Sequence, residues 1–205
     1  MAHAKEGKLF GEDTLHTIIF ALTGIILIPL DIYAIVIDVH WKLDIFLLIL
    51  ALVFVYLLRK KLHLHPLHYL FLSVFLLLHA AGTFHLYERH FFGMEYDFYI
   101  HLYFGFASSI IFYRLYLCRS LPPHYAFLFV ITLTLGLSAF HEIVEYTGAV
   151  TLGKGEGLLF IGAGDIDEWD TQKDMLNNVI GAMIGSILYW SWRKIQKGAL
   201  PHPRS

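Results

Sequence analysis

Charge is scarce in this chain and cysteine is almost missing. Only 16% of its 205 residues are charged and 57% are apolar, with a mean hydropathy of +0.60. A soluble domain of this length carries about 25% charged and about 45–50% apolar residues. The deficit excludes a soluble globular enzyme, a disordered chain and a nucleic-acid binder. Cys118 is the single cysteine, so an intramolecular disulfide and a cysteine-based zinc site are both excluded. Charge of one sign is also lacking: the net charge is -2 and the pI about 6.7, with no polybasic or polyacidic signal for a partner. What is present in excess is histidine, thirteen of them in so apolar a chain.

The apolar residues collect in runs near the roughly 20 residues that a helix needs to cross a bilayer core. Six such runs are predicted as helices, at about 15–37, 43–58, 66–85, 98–117, 124–146 and 174–192. They are continuous, unlike the alternating strands of a membrane barrel. The reading is therefore all-α: one polytopic transmembrane bundle of six spans, residues 1–205 forming a single domain. The first run follows an acidic segment without a small-residue cleavage site and reads as an uncleaved first span.

Lysine and arginine set the orientation. Six spans place eleven of them on one side (Lys5, Lys8, Arg59, Lys60, Lys61, Arg114, Arg119, Arg193, Lys194, Lys197, Arg204) and four on the other (Lys42, Arg89, Lys154, Lys173). Both termini are thus expected in the cytoplasm, in a cell inner membrane. The connections Arg59–His65 and Cys118–Pro123 are tight, so the helices they join should be neighbours. The one long connection, Thr147–Trp169, faces outward and holds six glycines around Leu158–Ile161. It reads as a flexible loop, or as a re-entrant lid, since irregular backbone at membrane depth must line protein or water.

Charge inside a span is costly, so its position is informative. Thirteen of the 17 acids fall on the outward side or in the outward halves of spans, together with His40, His79, His85, His90, His101 and His141. Helical spacing groups them further. Asp97, His101, Gly105 and Ser108 share one face of the fourth helix. Ser138, His141, Glu142 and Glu145 line the fifth, and Asp170, Asp174, Asn178, Gly181 and Gly185 line the sixth. Such stripes cannot face lipid and are expected to converge inside the bundle. His79 lies in the third helix; His85, six residues on, does not share its face.

His141 and Glu145 have the one-turn spacing of a metal-binding pair, with Glu142 between them in the place of a general base. With His79, Asp97, His101 and Asp174 they form a mixed set suited to zinc, iron or manganese. Glu142 and Asp170 are the candidate catalytic groups, with His85 and Asn178 in support. Two other readings stay open: acid–histidine pairs acting only as helix glue, and a metal-free proton or ion pathway. Asp167 and Glu168 read as caps of the last helix. Gly181 and Gly185 form a small-xxx-small contact, and Pro29 is expected to kink the first helix. His63, His65, His68 and His124 read as solvated interface residues.

Asp97–Phe106 resembles the aspartate-x-x-x-histidine signature of VanZ-like bacterial membrane proteins. His141–Tyr146 is similar to that family's glutamate helix, and Asp170, Asp174, Asn178, Gly181 and Gly185 to its last motif. The string Trp169–Met175 looks more like the YjdF branch of uncharacterised inner-membrane proteins. The likeness covers about Phe84 to Trp192 and implies a site in these residues without naming a reaction. Two functions follow as expectations. One is a metal-assisted hydrolase or transferase acting on a membrane lipid or envelope precursor from the periplasmic or outer face. The other is a protein that binds or moves a cation, proton or polar head group, or an accessory envelope scaffold.

Overall fold

The first helix, α1 (Glu12–Val36), begins where Glu12 and Asp13 place negative charge on the positive end of the helix dipole. It runs on through Pro29 and ends in a turn at Ile37–Asp38. The computed structural model describes residues 11–39, 42–87, 89–114, 118, 120–152 and 169–198. The further helices are α2 (Lys42–Leu58), α3 (Pro66–Ala81), α4 (Tyr96–Phe112), α5 (Pro123–Leu152) and α6 (Asp170–Gly198).

Helix α3 starts in a way that spacing alone does not reveal. Pro66 occupies the first helical turn, where its missing N–H is no loss. The His65 Nδ1 accepts from the Leu67 N–H (3.2 Å), and the His65 N–H donates to His68 Nδ1 (3.3 Å). The expectation that His65 and His68 are merely solvated is corrected: they form a reciprocal cap, and His68 is buried. Beyond Ala81 the chain turns through one π-helical segment (Gly82–Leu86), where His85 adopts a left-handed φ of 64°. A two-residue hairpin follows, β1 (His90–Phe91) with β2 (Met94–Glu95), closed by Phe92 and Gly93 at φ 51° and 81°. Positive φ at both turn positions is the geometry that matches the twist of short hairpins. This hairpin is the one departure from the all-α expectation among the described residues.

Among the described residues, three segments are long and apolar enough to cross a membrane: Glu12–Val36, Pro66–Leu86 and Pro123–Val144; Leu43–Leu58 is apolar but shorter. Large apolar side chains such as Ile25, Phe54, Leu57, Phe140, Ile143 and Ile187 project from the outer surface. Water would penalise so wide an apolar surface, and lipid does not. The predicted outer loop at 147–169 is corrected at its start: α5 continues to Leu152, with the Thr147 hydroxyl donating to the Ile143 carbonyl (2.7 Å). The rest of that connection, with Asp167 and Glu168, lies outside the described residues.

Helices α1, α2 and α3 share one core around Leu27, Ile45, Leu52, Tyr69 and Leu76. A second, smaller cluster gathers Tyr113, Cys118, Ala126 and Val130 against Tyr189 and Trp190. The short connections do bring α2 to α3 and α4 to α5, but the wider contacts are α1 with α2 and α3, and above all α4 with α6. Glycine makes that last contact possible. A methyl on Gly105 would overlap the Asn178 carbonyl, one on Gly181 the Leu102 carbonyl, and one on Gly185 would stand 2.7 Å from the Phe106 carbonyl. The expected Gly181/Gly185 contact is thus present, and Gly105 completes it from the other helix.

Gly181→Ala is expected to destabilise the fold by about 1–3 kcal/mol through overpacking. Gly136→Ala, whose added methyl meets nothing within 4 Å, is expected to be neutral or to stabilise by up to about 1 kcal/mol. Thermal unfolding of the two purified variants in one detergent checks the pair; equal losses would contradict the close backbone approach.

Candidate functional site

The contact between α4 and α6 brings two polar stripes together at one end of the bundle. Asp97 and His101 are one turn apart on α4, and Asp174 and Asn178 one turn apart on α6. The His101 Nε2 lies 3.4 Å from Asp97 Oδ1 and 3.5 Å from Asp174 Oδ2. Each of the three offers a ligand atom within 4.8 Å of the others, with His101 and Asp174 buried and Asp97 half-buried. On the far side of the imidazole, Asn178 Nδ2 stands 3.1 Å from His101 Nδ1 and donates to Ser138 Oγ on α5 at 2.7 Å. The Asn178 side-chain oxygen, Oδ1, is buried without a hydrogen-bond partner.

Two more histidines border this group. His141 on α5 lies with its ring centroid 6.3 Å from that of His101 and 6.2 Å from that of His79. His79, buried at the end of α3, is stacked on Phe75 and 2.7 Å from the Tyr87 hydroxyl. Glu142 is half-buried beside His141 and near enough to Asp174 for their charges to interact.

The convergence expected from the stripes on α4, α5 and α6 is therefore present, and His79 joins it. Asp170 opens α6 and stands with Asp97 and Asp174 along a pocket of about 300 Å³ between the hairpin and α6. Glu145 sits one turn after His141 on α5, and its side chain lies outside what the structure describes. His85 is exposed in the π-turn, which separates it from buried His79. Tyr87 was not foreseen, and no periodic signal marks it: the π-turn brings it back onto His79. The hairpin beside the pocket was missed too, its only mark being Gly93 between two short polar–apolar pairs.

Two carboxylates this close, away from water, repel each other and need positive charge between them. A protonated His101 supplies one charge and a divalent cation would supply two. The Asn178 amide bears on which applies, because it can present either end to a neighbour. Its NH₂ on Nδ1 leaves the imidazole proton on Nε2, directed at the carboxylates. Its oxygen on Nδ1–H would leave Nε2 with a free lone pair, the state a metal requires.

Asn178→Ala is expected to cost about 1–3 kcal/mol, because it strips buried His101 and Ser138 of a partner. Asn177→Ala, at the half-buried mouth, should stay within about 0.5 kcal/mol. Thermal melts of both variants decide the point.

No curated protein and no solved structure matches the chain. One family model does, under the description "Predicted membrane protein (DUF2238)"; it carries neither the VanZ-like nor the YjdF-like name. That model spans residues 15–195, from the first helix through all of the site residues, and the chain belongs to this family of membrane proteins.

Proposed function

We propose that the Asp97–His101–Asp174 cluster binds a divalent metal ion, with zinc, iron and manganese the candidates. In this reading the protein is a metal-assisted hydrolase or transferase acting on a lipid or envelope precursor. The observation that carries the proposal is the meeting of three ligand-capable side chains within 4.8 Å inside an apolar bundle. His141 and His79 stand close enough to complete or relay the set. A hydrated metal supplies a nucleophilic hydroxide near neutral pH. Glu142 takes the role of general base, Asp170 guides the substrate at the pocket mouth, and Asn178 positions His101 from behind.

The topology proposed with it is a six-span bundle in the inner membrane, termini in the cytoplasm and site facing outward. Its support is the lysine and arginine bias of eleven against four. The likeness of the same motifs to VanZ-like and YjdF-like proteins supports the choice of residues. A second reading, a metal-free proton or cation path, draws on the row of rings His79–His141–His101. Against it, the other halves of the helices offer few polar groups from which to continue a path.

Elemental analysis of the purified protein, with and without metal soaking, tests the proposal. Stoichiometric metal is expected in the native chain and its loss in His101→Ala and Asp174→Asn. Asn178→Ala should bind the metal roughly 10–100-fold more weakly, the usual cost of removing a group that orients a metal-bound histidine. Metal should also raise the unfolding temperature of the native chain alone, since it binds only the folded site. A native protein that takes up no metal even when soaked overturns the proposal and leaves the ion-pair or proton-path readings.

A further inference from the structure

At the opposite end of the bundle a second polar pocket, of about 590 Å³, opens between the start of α1, the turn from α2 to α3 and the residue after α4. Arg114, which closes it, follows Asp97 by seventeen residues, so the two pockets stand about 25 Å apart along α4. Arg59, Lys60 and Arg114 line it against Glu12 and Asp13, with His16, His63 and His65 adding protonatable nitrogens. Asp13 is already engaged, 2.9 Å from Lys60 Nζ and 3.6 Å from Arg59 Nη2.

Two side chains are held in place here with an atom left over. The Arg59 guanidinium lies over the Tyr56 ring, 4.0 Å from its centroid, and its Nη1 donates to the Tyr56 carbonyl at 2.8 Å. Its Nε–H is buried and has no acceptor. His16 is 4% exposed, and its Nδ1 donates to the Glu12 carbonyl at 2.7 Å. That bond fixes the ring and leaves Nε2 buried and unpartnered as well. A carbonyl oxygen can only accept, so Nε2 either accepts from a ligand hydroxyl or, once protonated, donates to a ligand oxygen. Buried polar atoms without partners are uncommon in folded proteins, and two such atoms on residues lining one pocket point to a ligand.

We propose that this pocket binds the phosphate head group of an anionic phospholipid, with Arg59 Nε and His16 Nε2 as the waiting contacts and Lys60 and Arg114 as charge partners. A guanidinium pinned by stacking suits a phosphate because its donors are already oriented. A lipid fits better than a free phosphate because exposed apolar side chains lie within two residues of the lining ones: Leu15 and Ile18 on α1, and Leu62 and Leu67 around the α2–α3 turn. They offer acyl chains an apolar surface at this end of the bundle. Basic pockets between helices at one membrane face are a recurring setting for such head groups.

The test uses the full-length protein purified in a neutral detergent, with unfolding temperature and native mass spectrometry as readouts. Phosphatidylglycerol added in mixed micelles is expected to raise the unfolding temperature by several degrees and to be retained as a one-to-one adduct. Phosphatidylcholine should do neither. Arg59→Gln should weaken phosphatidylglycerol binding at least tenfold. Because Arg59 also ties its own turn to α1, Arg114→Gln, exposed and without those ties, serves as the second variant and should weaken binding several-fold without lowering the basal unfolding temperature. Lys194→Gln, outside the pocket, should change nothing. Equal responses to both lipids, or full binding by both pocket variants, overturn the proposal. A shift produced equally by inorganic phosphate or glycerol phosphate overturns the lipid assignment and places a soluble phosphate in the pocket.

Discussion

The close approach of α4 and α6 is the constraint on which the Asp97–His101–Asp174 site depends. Gly105 seats against the backbone of Asn178 and Ala182, and Gly181 and Gly185 seat against Leu102, Phe106 and Ser109. Helices in a membrane gain little from hydrophobic burial against each other, since lipid is as apolar as leucine; what holds them is van der Waals contact and polar contact. Three glycines allow backbones to touch. One turn beyond that contact, the same geometry leaves Asp97, His101, Asp174 and Asn178 no place to point except at one another. The buried polar cluster is thus a consequence of the packing and also adds to it, because each carboxylate is matched to the shared imidazole.

That dependence explains why part of the site is legible from the chain alone. Asp97/His101 and Asp174/Asn178 repeat every four residues, and Gly105, Gly181 and Gly185 continue the same registers. Periodicity reports which residues share a face, and an apolar surrounding reports that the face is turned inward. It does not report which faces meet. The pairing of α4 with α6 depends on shape at the glycines, whereas the short connections pointed first to α2 with α3 and α4 with α5.

What was not legible is non-periodic. Tyr87 reaches His79 because the chain leaves the helix at Gly82, where a methyl would overlap the Tyr87 ring, and turns through a left-handed His85. In a continuous helix eight residues of separation would hold the two about 12 Å apart along the axis, too far for this hydrogen bond. The His65–His68 cap likewise depends on an extended N-cap residue before Pro66, and so two histidines that look like interface residues are structural. His16 drew no notice because a lone histidine in an apolar run has no pattern around it. Its neighbours, the Glu12 carbonyl and the Tyr69 ring, come from backbone and from fifty-three residues away.

The two ends of α4 then carry opposite chemistry on one rigid axis. Carboxylates gather at Asp97, cations at Arg114, and the helix between them is locked to α6 by close contact over about two turns. Close-packed interiors deform poorly, so a ligand at the Asp97 end would have little freedom to slide these helices. The group with two usable orientations is smaller: the Asn178 amide, which can turn end for end. Turning the amide changes which nitrogen of His101 carries the proton, and with it whether Nε2 presents a donor or a lone pair. In the metal-binding reading proposed above, the response to a cation is a change of tautomer inside a fixed frame, with selectivity resting on charge and ligand type more than on movement.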